Sequence, residues 1–163
     1  MECQGKTGRR RRQFPEIIMD SMVEEEETKM VLVVNSTLAM GKGKVAAQCG
    51  HAAVLCYKAA MVEVLEVLAR WERSGMAKVV VKATEEELEV VVGRARKAGV
   101  LAVEVRDAGR TQVDGDNHNH LHHHHQPDGH PHPQVAAGSL TVVGLAPGQA
   151  ATLHRLTPGL KLY

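Results

Sequence analysis

Four short apolar runs constrain this 163-residue chain more than anything else in it. They are KMVLVV at 29–34, KVVVKA at 78–83, VLAVEVRD at 100–107 and SLTVVGLAP at 139–147. Short runs so rich in valine and leucine read as buried strands, since their apolar faces must be covered on both sides. Helical stretches lie between them. One helix is expected from about Lys42 to Ala60, and a second reaches Trp71. Thr84, with Glu87 three residues on, is a capping-box signature for a helix over 84–98, which Gly99 closes. A short helix from Gln149 to Leu156 precedes the terminal GLKLY. The β-α-β-α-β order predicts parallel crossovers, so the expected class is α/β: a small mixed, mostly parallel four-stranded sheet with helices on both faces. The fourth strand follows a loop with no helix and is therefore expected to run antiparallel.

Aromatic residues make up only 2% of the chain, so its core must be built from Val, Leu, Ala and Met. Phe14, Tyr57, Trp71 and Tyr163 are too scattered for a base-stacking platform, which excludes the usual aromatic mode of RNA recognition. The net charge of +1 conceals local imbalance. RRRR at 9–12 and EEEE at 24–27 nearly cancel within residues 1–28, a tail expected to be disordered ahead of a folded domain at 29–163. In that domain acids gather at 85–89, and cations collect at Lys42, Lys44, Arg94, Arg96, Lys97, Arg106 and Arg110. Such a basic patch suits contact with a polyanion, although a mixed solvated surface has the same composition. Cys3, Cys49 and Cys56 form no C-x-x-C pair, which points to a reducing compartment, the cytoplasm. No run approaches 18 apolar residues, so no membrane contact is expected. The tail has no apolar run after its arginines and carries seven acids, so it reads as neither a secretory nor a mitochondrial leader; RRRR is a candidate nuclear address.

The segment DGDNHNHLHHHHQPDGHPHP at 114–133 holds eight of the ten histidines and no apolar period. It reads as a low-complexity loop able to hold a divalent metal loosely, with a neutral insertion as the preferred interpretation. No metal motif is visible outside the loop.

The stretch MGKGKVAAQCGHA at 40–52 gathers glycines, lysines, an amide and an imidazole. It is not a nucleotide P-loop: Val45 follows Gly43-Lys44 where Ser or Thr is needed, and Leu38 stands in place of the first glycine. At about 100° per residue, Lys44, Gln48 and His51 form one polar stripe along a helix, beside an apolar stripe of Val45, Cys49, Ala52 and Cys56. Gly41 and Gly43 expose N–H groups at the helix start and permit close approach of a ligand. The stripe lies beyond the end of the first strand, where ligands bind in open α/β sheets. RDAGRTQ at 106–112 occupies the equivalent place after the third strand and supplies Asp107, Arg110 and Thr111. Asp orients a water or a lysine, Arg holds a phosphate and the Thr hydroxyl bonds either. An amphipathic helix and a simple Asp turn would account for each cluster separately; their convergence on one sheet edge favours a site.

The blocks KMVLVVNSTLAMGKGKVAAQCGHAA, KVVVKA, DAGRTQ, TVVGLAPG and LKLY, in this order from Lys29 to Tyr163, resemble the archaeal and eukaryotic type II peptidyl-tRNA hydrolases. That resemblance implies a compact α/β fold, cleavage of the ester joining a peptide to tRNA, and no cofactor. It carries Lys44, Gln48, Asp107 and Thr111 over as the catalytic set, and matches His51 to a histidine of the family's first block. Lys42 and Arg110 join His51 as tRNA contacts on grounds of charge. An oxyanion donor is expected in Lys44 or the Gln48 amide, and a water-orienting group in Asp107. Peptidyl-tRNA is the expected partner, with weak divalent-metal binding by the histidine loop and a homodimer as further candidates. Two departures stand out: the roughly twenty-residue insertion after DAGRTQ, and Ala151 and His154 where the family's last helix carries aspartates. The rival from another class is a non-catalytic adaptor on the same fold, against which the intact catalytic set argues.

Overall fold

A computed structural model describes residues 26–109 and 135–163. Its elements are β1 (Thr28–Asn35), α1 (Lys42–Glu63), α2 (Leu65–Arg73), β2 (Lys78–Ala83), α3 (Glu85–Lys97), β3 (Ala102–Arg106), β4 (Leu140–Gln149), α4 (Ala150–Leu156) and β5 (Lys161–Leu162). The α/β architecture with covered faces is as expected; residues 1–25 of the tail and the histidine loop lie outside the described residues, and Thr28, expected to end the tail, opens β1 instead.

β1 explains why the sheet is sandwiched. Its even-numbered Met30, Leu32 and Val34 enter one core with Val45, Ala52, Cys56 and Ala60 of α1 and Leu68 and Trp71 of α2. Its odd-numbered Val31 and Val33 enter a second core with Leu88, Val91 and Ala95 of α3 and Leu153 and Leu156 of α4. Side chains alternate across a strand, so an uninterrupted apolar run needs helices on both sides. Glycine decides how closely α1 approaches. A Cβ at Gly144 of β4 would sit 2.6 Å from Cys56 Sγ and 3.4 Å from Ala52 Cβ. The small inward stripe of α1 and the bare backbone of β4 thus permit each other.

Sheet order is β3-β4-β1-β2-β5, and this corrects the expected mostly parallel four-stranded arrangement. Among the described residues only β1 and β2 form a parallel ladder; the β1–β4, β3–β4 and β2–β5 ladders are antiparallel. The crossover through α3 carries β3 to the far edge, in the same direction as β1 but not beside it. β4, returning without a helix, runs antiparallel as expected and fills the slot between them. The fifth strand comes from the closing Lys161–Leu162, too short to announce itself by alternation.

Local signals hold where their chemistry is explicit. Glu87 Oε2 accepts the Thr84 N–H at 2.8 Å and the Glu87 N–H bonds Thr84 Oγ1 at 3.3 Å, completing the capping box of α3. α1 differs from expectation in one respect. Its 22 residues include an 18-residue window of mean hydropathy 1.2, enough in length and composition to cross a membrane. In the fold its inward stripe packs on β4 and β3, leaving Val54, Leu55, Met61 and Val62 exposed.

Candidate active site

β3 delivers Asp107 to the sheet end, and the start of β4 holds it there. The Asp107 N–H donates to Ser139 O at 2.9 Å, and the Gly138 N–H donates to Asp107 O at 2.8 Å. Gly109, at φ 65°, folds back so that its N–H reaches Asp107 Oδ1 at 3.3 Å. A side chain there would be doubly penalised, because that conformation disfavours a Cβ and the Cβ would stand 3.1 Å from Ala137 Cβ. Arg106, next in line, turns away to Glu104 and Gly138 O.

β1 ends the same way. Asn35, only 1% exposed, donates from Nδ2 to Leu140 O at 2.9 Å. Its Oδ1 accepts the Thr37 N–H at 3.0 Å and the Thr37 hydroxyl at 2.6 Å. This Asx-type turn shapes the loop that leads into α1. Gly41 and Gly43 have ordinary negative φ and open space where a Cβ would be, so room at the helix start, not backbone strain, is what they provide.

On α1 the expected polar stripe faces Asp107. Lys44 Nζ stands 2.6 Å from Asp107 Oδ2, with the lysine side chain 18% and the aspartate side chain 3% exposed. The Lys44 ammonium bonded to it holds the Asp107 carboxyl below the usual carboxylate range, against the upward push of burial, and the Gly109 and Ala108 N–H groups assist. One turn on, Gln48 is buried with its amide against Thr141: Oε1 lies 3.0 Å from Thr141 Oγ1, which also lies 2.9 Å from Val105 O. His51 follows on the same stripe and is exposed, as is Lys42 at the first helical residue. The fold therefore brings Lys44, Gln48 and Asp107 together; Arg110 and Thr111 lie outside the described residues. Among the described residues no three His, Cys, Asp or Glu side chains cluster as a metal site.

Two polar residues of this centre, Thr141 and Asn35, had no place in the sequence reading. A threonine in a strand and an asparagine at a strand end are ordinary residues there. The available signal was that Thr141 interrupts an otherwise apolar run near the start of its strand.

A model of the family described as "Peptidyl-tRNA hydrolase PTH2" matches residues 28–163, from the first residue of β1 to the C-terminal tyrosine. The chain belongs to this family. It is 43% identical over 138 residues to "Peptidyl-tRNA hydrolase 2, mitochondrial" of Homo sapiens, covering 84% of this chain and 65% of that protein. To "Probable peptidyl-tRNA hydrolase 2" of Schizosaccharomyces pombe it is 40% identical over 140 residues, covering 85% of this chain and 58% of that one. The chain thus spans under two thirds of these eukaryotic relatives. It matches 98% of the "Peptidyl-tRNA hydrolase" of Methanocaldococcus jannaschii, at 33% identity over 135 residues. The match to the shorter archaeal protein identifies the αβα sandwich with the unit these PTH2 relatives share.

Proposed function

We propose that this chain hydrolyses the ester between a peptide and tRNA, recycling tRNA from prematurely released peptidyl-tRNA. Family membership supports the reaction class, and the observation that carries the site is the Lys44–Asp107 pair beside Gln48 at the end of β3. An aminoacyl ester is already activated, so the protein must position it, direct a water and stabilise the tetrahedral oxyanion. An ammonium has three N–H donors. Asp107 Oδ2 takes one from Lys44, leaving two for the ester carbonyl oxygen as it gains charge. One donor of this kind is worth about 2.7–4 kcal/mol in the transition state. Asp107, held ionised, keeps Lys44 charged and in place, and orients the attacking water through Oδ1. The water oxygen bonds to the carbonyl carbon, the carbon–oxygen bond to the ribose breaks, and the proton lost by the water ends on the departing ribose oxygen.

Thr111 completes the catalytic set of Lys44, Gln48 and Asp107, and Lys42, Arg110 and His51 hold the tRNA. The hydrolase domain, expected at 29–163, takes in Thr28 of β1 as well in this reading, and the residues before it are a tail. A cytoplasmic location, loose metal binding by 114–133 and self-association belong to the same proposal. Fractionation tests the first, since the human and bovine relatives are named mitochondrial. Calorimetry and sedimentation test the other two.

The deciding assay is release of N-acetylaminoacyl groups from tRNA by the purified chain, with and without chelator. Turnover that survives chelation and is lost in Lys44→Ala supports the proposal. A folded chain that binds the substrate without cleaving it is an adaptor instead.

A further inference from the structure

Thr141 is completely buried, and its hydroxyl oxygen touches two other oxygens, Val105 O at 2.9 Å and Gln48 Oε1 at 3.0 Å. A hydroxyl carries one proton, which serves one acceptor; the second contact would then press lone pair against lone pair. In a buried position an unmade hydrogen bond of this kind is costly, because no water replaces it. The Val105 carbonyl can only accept. A glutamine amide can turn by half a revolution at almost no change in shape, exchanging its oxygen for a two-proton nitrogen.

We propose that Thr141 is a positioning residue that turns the Gln48 amide so that Nε2 faces inward and Oε1 faces the site. The chain of bonds then runs one way: Gln48 Nε2–H donates to Thr141 Oγ1, and the Thr141 hydroxyl donates to Val105 O. Every group is satisfied. The outer amide atom has no protein partner among the described residues, yet no buried side-chain nitrogen or oxygen there is left without one. The outer atom is therefore the part of Gln48, 8% exposed in all, that meets solvent.

An outward oxygen changes what Gln48 does. It cannot donate to an oxyanion, so of the two donors weighed from sequence Lys44 remains. Gln48 instead accepts from an O–H group, supplied by the attacking water or by the terminal ribose. The kinetic part of this proposal rests on the hydrolase reading above; the amide orientation does not.

Two measurements test it on the intact chain. In the ¹⁵N-labelled protein one Gln48 Nε2 proton should exchange slowly with solvent and show a through-space contact to the Thr141 hydroxyl proton. Free exchange of both protons without that contact would place oxygen inward and overturn the orientation, whether or not the chain hydrolyses anything. In the hydrolysis assay Thr141→Val should lower kcat about 10- to 100-fold at nearly constant KM, and Thr141→Ser should restore most of it. Wild-type kcat in a folded Thr141→Val, or no rescue by serine, rejects the positioning role. Should Thr141→Val fail to fold, the exchange measurement and a kcat in Thr141→Ser near wild type still decide. Substrate ending in 2′-deoxyadenosine separates the O–H sources: a loss that does not compound with Thr141→Val assigns the ribose hydroxyl, and a compounding loss assigns the water.

Discussion

Lys44 Nζ and Asp107 Oδ2 meet at 2.6 Å although 63 residues separate them in the chain. α1 brings one and β3 the other, so the pair exists only when helix and sheet are packed. The lysine side chain, 18% exposed against 3% for the aspartate, is the more open end of the pair. Charge is thus fixed where a substrate can touch it, with the counter-ion behind.

Removing either partner should affect chemistry more than folding. Lys44→Ala removes the proposed oxyanion donor, and Asp107→Ala frees the lysine from its position. Turnover should fall roughly 10²- to 10³-fold in each. Stability should fall as well, by less than the ~3–5 kcal/mol typical of breaking a fully buried pair, because Lys44 is partly hydrated. Single-turnover hydrolysis alongside thermal melts separates the two effects, and a folded Lys44→Ala with wild-type turnover would remove the lysine from the mechanism.

The same pair dictates a pH dependence of stability. Asp107 has a lowered carboxyl pKa in the fold, caused first by the Lys44 hydrogen bond. Unfolded, it titrates near ~3.9. Between those two values the unfolded chain holds the proton that the folded chain refuses, so the stabilisation is complete above about pH 4 and disappears as pH falls through the lowered folded value. Urea unfolding of the native chain and Asp107→Asn should show a constant stability gap from pH 7 to about 4.5, closing below pH 4. A gap that closes between pH 7 and 5 would mean that the folded carboxyl is raised.

Lys42 tests the electrostatic grip on tRNA. It is exposed at the first residue of α1, beside an open helix start with no acidic residue in its first turn. Binding through phosphates releases counter-ions, so log Kd should change linearly with log salt. Lys42→Ala should weaken binding of deacylated tRNA and reduce that slope by about one unit, with kcat unchanged. Indifference of affinity to salt would require contacts other than charge.

Much of this structure was legible in the chain because its signals are local. β1 needs helices on both faces since Val31 and Val33 alternate with Met30, Leu32 and Val34, and the Thr84–Glu87 box marks α3 directly. Lys44 and Gln48 stood out because polar residues at helical spacing interrupt an apolar helix. What stayed hidden is non-local. Nothing in the residues of β3 states that it travels to the far edge, so the insertion of β4 between β3 and β1 could not be read, nor could the pairing of Lys161–Leu162 with β2. Thr141 and Asn35 were invisible for the same reason. Their chemistry lies in their partners, Gln48 and Leu140, 93 and 105 residues away.

Gly144 tests whether the closeness of α1 to the sheet is required. An alanine Cβ there would lie 2.6 Å from Cys56 Sγ and 3.1 Å from Val103 Cγ2, inside contact distance of a buried sulfur whose thiol pKa burial pushes up to about 12. Overpacking of this kind costs about 1–3 kcal/mol. Gly144→Ala should lower the melting temperature, and Cys56→Ala on the same chain should recover part of the loss by removing the sulfur. Strict additivity of the two changes would show that the clash is relieved elsewhere.

The histidine-rich segment supplies the last test. It enters from Asp107–Gly109 and leaves at Ala136–Gly138, where the Asp107 N–H to Ser139 O and Gly138 N–H to Asp107 O bonds already close the connection at its base. Antiparallel β3 and β4 need only a short hairpin loop between them. Deleting Asp116 to Pro133 leaves DAGRTQ and the start of β4 whole, and shortening a loop lowers its closure entropy by only about 0.6 kcal/mol per halving. The deletion should therefore retain the melting temperature within a few degrees and retain hydrolysis within a few-fold. Nickel or zinc affinity should be lost with the segment, and in the full chain should weaken below about pH 6.5 as imidazoles protonate. The comparison is turnover of the deletion chain against the full chain, with EDTA as a parallel arm. If the deletion chain stays folded but inactive, or EDTA abolishes hydrolysis by the full chain, the segment or its metal belongs to the site and a metal-free role for Lys44 and Asp107 is wrong.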